Sequence, residues 1–134
     1  MSNLFDKTTD ALATSLAMRQ IRHNVTSANI ANAETPNYHA KKMDFEDALA
    51  RALDLDGNNK LSTSNGNHYA VGGQPTVEAG IYENPDVEVN NDGNTVDFEK
   101  EMSALQENSI LYKTALQLIN KKMAAMKYAI SETR

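Results

Sequence analysis

The chain is expected to be mainly α-helical. Two long terminal helices pair as an antiparallel coiled coil, joined through a short helix and an irregular middle segment holding two candidate strands. Three observations predict this. All six glycines lie between Gly57 and Gly93, together with two of the three prolines, Pro75 and Pro85, so helix breakers are confined to the middle. Apolar residues recur at alternating spacings of four and three from Phe98 to Ile130, the repeat of a helix that packs along its length. With 134 residues, 40% of them hydrophobic and 6% aromatic, the chain has too little apolar material for a large globular core. The expected organisation is one elongated unit: a helical arm over 1–33, a turn and short helix over 34–56, a Gly/Asn-rich segment over 57–93, and a second arm over 94–134.

In the N-terminal arm, Leu4, Ala11, Met18 and Val25 recur every seven residues, interleaved with Thr14, Ile21 and Ala28. Met18, Ile21 and Val25 are the expected packing residues. The other face is polar but uncharged: Thr8, Thr9, Ser15, Gln20, Asn24, Thr26, Ser27 and Asn29. Between Ala11 and Ala33 the only formal charges are Arg19 and Arg22. Solvated helix faces usually carry Lys and Glu, so such a face suits packing against protein as well as plain polar surface.

The arm runs into "NIANAETPNYHA", residues 29–40. Pro36 disfavours helical geometry at Thr35 and cannot extend the ladder, so the helix is expected to end near Asn32 or Ala33. Pro36 and Asn37 then form the central pair of a turn, with fixed φ first and a residue that tolerates positive φ second. Tyr38 follows as an amphipathic anchor. Asp44 is placed to cap a short helix with Phe45, Ala48, Leu49, Ala52 and Leu53 on one face, which should fold against an arm.

Beyond Asp54, "DGNNK", "SNGN", "VGGQP", "ENPD" and "NNDGN" are closely spaced turn signals, with candidate strands at 76–81 and 87–89. Glu88, Asn90, Asp92, Gly93 and Glu99 fall at positions 1, 3, 5, 6 and 12 of a calcium-loop pattern. The first position should be aspartate, and the residues before it look extended, so a turn entering the last helix is the better reading.

That last helix has the seam Phe98, Met102, Leu105, Ser109, Tyr112, Leu116, Ile119, Met123, Met126 and Ile130, apolar except at Ser109. A neighbouring row, Ala104, Leu111, Ala115, Leu118, Ala125 and Ala129, widens the face enough for more than one partner. Asn94, Thr95 and Asp97 offer caps, and Lys121, Lys122 and Lys127 suit the C-terminal end of the dipole.

Other features exclude function classes. A net charge of −5 with no basic run longer than two residues argues against nucleic acid. With no cysteine, thiolate chemistry and disulfides are excluded. No apolar run reaches bilayer length, and the start lacks the pattern of a cleaved signal peptide. His23, His39 and His68 have no metalloprotease spacing, and neither a serine elbow nor a phosphate loop is present. The Asn24-Val25-Thr26 sequon falls inside a helix. No catalytic, cofactor, metal or small-molecule site is expected.

The stretch "ANIANAETPNYHAKKMDFEDAL" resembles the N-terminal signature of bacterial flagellar rod and hook proteins: Ala-Asn-Ile-Ala-Asn, two variable residues, then Thr-Pro-Gly and an aromatic. Ala28, Asn29, Ile30, Ala31, Asn32, Thr35, Pro36 and Tyr38 match in order, and Asn37 stands where glycine is usual. "DGNTVDFEKEMSALQENSILYKTALQLINKKMAAMKYAI" is similar to the matching end of proximal rod subunits, the FlgB type. The resemblance implies a structural rod subunit that assembles through its terminal helices. It also implies export by the flagellar type III apparatus without a cleaved signal, and neighbours among the other rod subunits and the membrane ring at the rod's base. Residues 29–32 and 35–38 would be the assembly signature. A helical adaptor or type III secretion chaperone binding one partner helix is the alternative.

Overall fold

The structure, a computed structural model, describes residues 7–53 and 80–132. In chain order it contains α1 (Lys7–Ala31), β1 (Lys41–Met43), α2 (Phe45–Leu53), β2 (Ile81–Glu83) and α3 (Phe98–Glu132). Leu4, His68 and most of the 76–81 candidate strand lie outside the described residues.

The helix of 25 residues and the helix of 35 are about 37 and about 52 Å long at ~1.5 Å per residue. They pack side by side and antiparallel. Midway along the pair, Asn108 Nδ2 donates to the Arg19 carbonyl at 2.8 Å, and just ahead of α3, Asn94 Nδ2 donates to the Asn32 carbonyl beyond the end of α1 at 2.8 Å.

Local chemistry explains where each helix stops and starts. After Ala31 the last α1 carbonyls are reached by tighter bonds: Asn32 N–H to Ala28 O (3.1 Å) and Asn29 O (3.2 Å), and Ala33 N–H to Ile30 O (3.2 Å). Pro36 has no N–H with which to continue. At the start of α3, Asp97 is the N-cap: its Oδ1 accepts from Lys100 N–H at 3.1 Å and its carbonyl accepts from Glu101 N–H at 3.0 Å. Glu99 and Glu101 place negative charge in the first turn, where the dipole favours it.

The short helix folds onto α1. Asp44 O accepts from Ala48 N–H at 3.1 Å, and Phe45 and Ala48 join Met18 and Met43 in a buried cluster flanked by Ile21 and Leu49. The Arg19 and Arg22 guanidinium carbons lie 4.4 and 5.5 Å from the Phe45 ring centroid, so their stems and charges cover the aromatic face. Met18 and Ile21, expected to face the C-terminal helix, pack with residues of α2 and β1. α1 is sandwiched between α2 and α3, and a helix with two partners distributes its apolar residues around its circumference. The side chains of Ala52 and Leu53 lie outside the described residues.

β1 and β2 form an antiparallel two-stranded ladder that pairs Lys41 with Glu83, Lys42 with Tyr82 and Met43 with Ile81. Pro85 follows, where a ladder donor would be missing, and Lys42 Nζ reaches Asp86 at 3.6 Å. The candidate strand at 87–89 does not form. Three-residue β1 has no pairing left for it, and the next N–H, that of Asn90, turns to the Asn94 carbonyl at 2.8 Å.

Candidate assembly surface

Two features stand out: a polar knot where the arms meet, and apolar rows left on the outside of α3. The knot is built from asparagines whose amides substitute for missing backbone partners. Asn29, only 1% exposed, donates from Nδ2 to Lys41 O at 2.8 Å and accepts at Oδ1 from Lys41 N–H at 2.9 Å, the two-way exchange of a ladder residue. The same Oδ1 accepts from the Tyr38 hydroxyl at 3.2 Å. Asn94, fully buried, donates to Asn32 O and Thr35 O, each at 2.8 Å, and accepts from Val96 N–H at 2.8 Å. It therefore satisfies carbonyls beyond the end of α1, which the helix cannot. Asn32 Nδ2 donates back to Ala28 O at 2.8 Å, and its Oδ1 accepts from Thr35 Oγ1 at 3.1 Å. Thr95 closes the knot, donating from its N–H to Tyr38 O at 3.0 Å and accepting at Oγ1 from Ala40 N–H at 2.8 Å.

The turn at Pro36 has Asn37 at φ 59°, with Tyr38 N–H reaching Thr35 O at 3.3 Å, the arrangement of a type II turn. Asn37 N–H donates to Asp92 O at 3.1 Å across to the loop before α3. That loop is a hairpin turn: Gly93 N–H donates to Asn90 O at 2.9 Å, Asn90 N–H donates to Asn94 O, and Gly93 takes the left-handed position at φ 79°. Asp92 Oδ1 accepts from Asn94 N–H at 3.1 Å, so residues of the calcium-like pattern serve the turn. A Cβ on Gly93 would collide with the Asn37 side-chain oxygen. Asparagine at position 37 and glycine at 93 are therefore a matched pair. Gly93→Ala is expected to lower the melting midpoint through both this collision and a left-handed penalty of about 1–2 kcal/mol. Adding Asn37→Gly should return the collision part alone. Thermal melts of the parent, both singles and the double measure the coupling, and additive effects would show the contact to be energetically idle.

Electrostatics at the knot follow burial. Tyr38 is pushed up, first by desolvation and then by the Glu101 carboxylate. Glu101 is raised by its own desolvation, opposed by a hydrogen bond from the Asn29 amide. Asp97 is lowered, chiefly by the Lys100 N–H it caps. Of the remaining signature residues, Ile30 is half-buried, while Ala31, Thr35 and Pro36 are exposed. Asn29 and Asn32 of the signature bond within the chain itself.

The face α3 turns to α1 differs from the expected seam by one residue. Its two buried positions are Asn108 and Ala115, in a column seven residues apart that includes half-buried Glu101 and Lys122. Leu105, Tyr112, Ile119 and Met126 of the expected seam sit half-buried beside it, as does Met102. Leu116 (39% exposed), Met123 (38%), Phe98 (53%) and Ile130 (60%) are at the surface. Leu111 and Leu118 are exposed on the opposite flank. Val25 of α1 is half-buried. Asn94, Thr95, Gly93 and Asn108 belong to the site without a sequence signal that marks them as site residues. Turn and cap signals marked the first three only as local punctuation, and nothing in the apolar period distinguishes Asn108 from a surface residue.

Among the described residues no cluster of His, Cys, Asp or Glu could hold a metal, and no helix is long and apolar enough to cross a membrane. Arms tied by a polar knot, with hydrocarbon left outside, are the features of a structural protein that packs against further helices. Accordingly, residues 10–39 match the family model described as flagella basal body rod protein. The chain is 39% identical to flagellar basal body rod protein FlgB of Cereibacter sphaeroides (strain ATCC 17029 / ATH 2.4.9) over 118 residues, 88% of this chain and 89% of the relative. It is 35% identical to FlgB of Aeromonas hydrophila over 132 residues (97% of each). To FlgB of Bacillus subtilis (strain 168) it is 30% identical over 135 residues, 96% of this chain and 97% of the relative. The chain belongs to the FlgB family of flagellar basal body rod proteins, which are structural proteins and not enzymes.

Proposed function

We propose that the chain is a subunit of the proximal rod, in which α1 and α3 of each copy pack as a coiled coil beside the helices of neighbouring subunits. The resulting shaft transmits torque across the periplasm. The observation that carries this reading is the hydrocarbon left on both flanks of α3: Leu116, Met123 and Ile130 on one side, Leu111 and Leu118 on the other. One α1 covers only the strip between them. Exposed apolar rows on a long helix mark an interaction surface, and a heterologous contact repeated without closure generates a helical assembly.

The partners in this reading are other rod subunits and the membrane ring at the rod's base. The route is the flagellar type III export apparatus, with no cleaved signal peptide. An adaptor or secretion chaperone would use the same rows to hold one partner helix, and family membership favours the rod. The test is isolation of basal bodies from cells making an epitope-tagged chain, followed by density mapping. The chain should copurify, with both arms traceable at the base of the rod. Its absence from the basal-body fraction would sink the proposal.

A further inference from the structure

We propose that Asn108 sets the register of the α1–α3 pair, selecting one stagger at a cost in stability. The side chain is 3% exposed and lies at the middle of the α3 column that is most deeply covered by α1. Its Nδ2 donates to the Arg19 backbone carbonyl at 2.8 Å, a fixed point on the body of α1. Its Oδ1 is buried and accepts from no group among the described residues.

The rest of the column, Glu101, Ala115 and Lys122, buries little hydrocarbon. The column one residue further on, about 100° around the helix, holds Met102, Leu116 and Met123. Apolar contact alone would favour rotating α3 to bury that row. An apolar strip is also tolerant of sliding, because neighbouring staggers bury similar areas. A buried amide is not tolerant of sliding, since another stagger that keeps it under α1 removes its one bond and leaves both ends of the amide unpaired in hydrocarbon. Single buried asparagines fix register in helix pairs by this discrimination, at the expense of stability.

The proposal concerns the isolated chain, so its outcome is separate from that of the rod assignment. The chain has no cysteine, so Ala17→Cys with Gln117→Cys, both exposed positions, gives a unique pair for spin labels. The chain with Asn108 intact should give one narrow spin–spin distance. Asn108→Leu should broaden or split it, with displacements of a helical turn, about 5 Å, or more, while the melting midpoint holds or rises by a few degrees. Asn108→Ala, which adds no bulk, should broaden it as well and serves if the leucine variant fails to fold. One narrow parental distance in either folded variant overturns the proposal.

Discussion

Asn29→Ala is expected to be the most destabilising single change in the knot, lowering stability by about 3–5 kcal/mol. The magnitude follows from what the truncation leaves behind. Lys41 loses partners for both its N–H and its C=O, held at 2.9 and 2.8 Å, and the Tyr38 hydroxyl loses its acceptor. Each of the three orphans is part-buried and costs toward the low end of roughly 1–3 kcal/mol, while the alanine methyl recovers little by packing. For a chain of this size the loss is a large share of a total of ~5–15 kcal/mol, and the midpoint should fall by roughly 10–20 °C. Asn29→Asp separates the two halves of the amide. It keeps an acceptor for Lys41 N–H and Tyr38 but withdraws the donor from Lys41 O, and it sets a second carboxylate beside Glu101, whose proton affinity burial already raises. Aspartate should therefore be no better than alanine at neutral pH and should improve on acidification as one of the two carboxylates is protonated. Thermal melts of the three proteins across pH decide the matter. A midpoint for Asn29→Ala within a few degrees of the parent would mean that the bonds of the knot contribute nothing net.

Local rules made much of this architecture legible, and long-range pairing hid the rest. Pro36 with Asn37 predicts its own turn because φ is a property of one residue. Asp97 predicts its own cap because the bond closes within three residues. Asn29 looks in sequence like any polar residue on a helix, since its partner Lys41 is twelve residues away in an unrelated element. Asn94 bonds carbonyls some sixty residues earlier. The heptad reading of α3 located one inward column, Leu105, Tyr112, Ile119 and Met126, and misplaced the other. Periodicity ranks faces by hydrocarbon, and the face chosen here carries Asn108 instead. The error is informative: one of the two rows the period marks is left at the surface by the folded chain.

That row supplies the second large effect. Leu116→Asp is expected to abolish incorporation into the rod while leaving the isolated chain folded. Leu116 is 39% exposed, so a carboxylate there stays hydrated in the free chain and should change its stability by less than about 1 kcal/mol. If a second helix packs over Met102, Leu116 and Met123, the same carboxylate must be stripped of water with no cation arranged to meet it. A desolvated, unpaired charge costs several kcal/mol at every repeat of the interface. Because one defective contact recurs along the assembly, a penalty tolerable in a single complex becomes prohibitive. Ser109, the polar break in this row, does not contradict the argument. Its hydroxyl donates to Leu105 O at 2.8 Å within the helix, so it can be covered without an orphan. Leu116→Met, similar in volume and apolar, should assemble normally. Deleting the N-terminal arm is a poorer test, since it also removes Met18 and Asn29 and with them the core and the knot. Circular dichroism on the purified Leu116→Asp chain and swimming of a rod-deficient strain supplied with it read the two halves separately. Native helicity with lost motility is the expected pair, and a strain that swims normally on Leu116→Asp would remove the row from the interface.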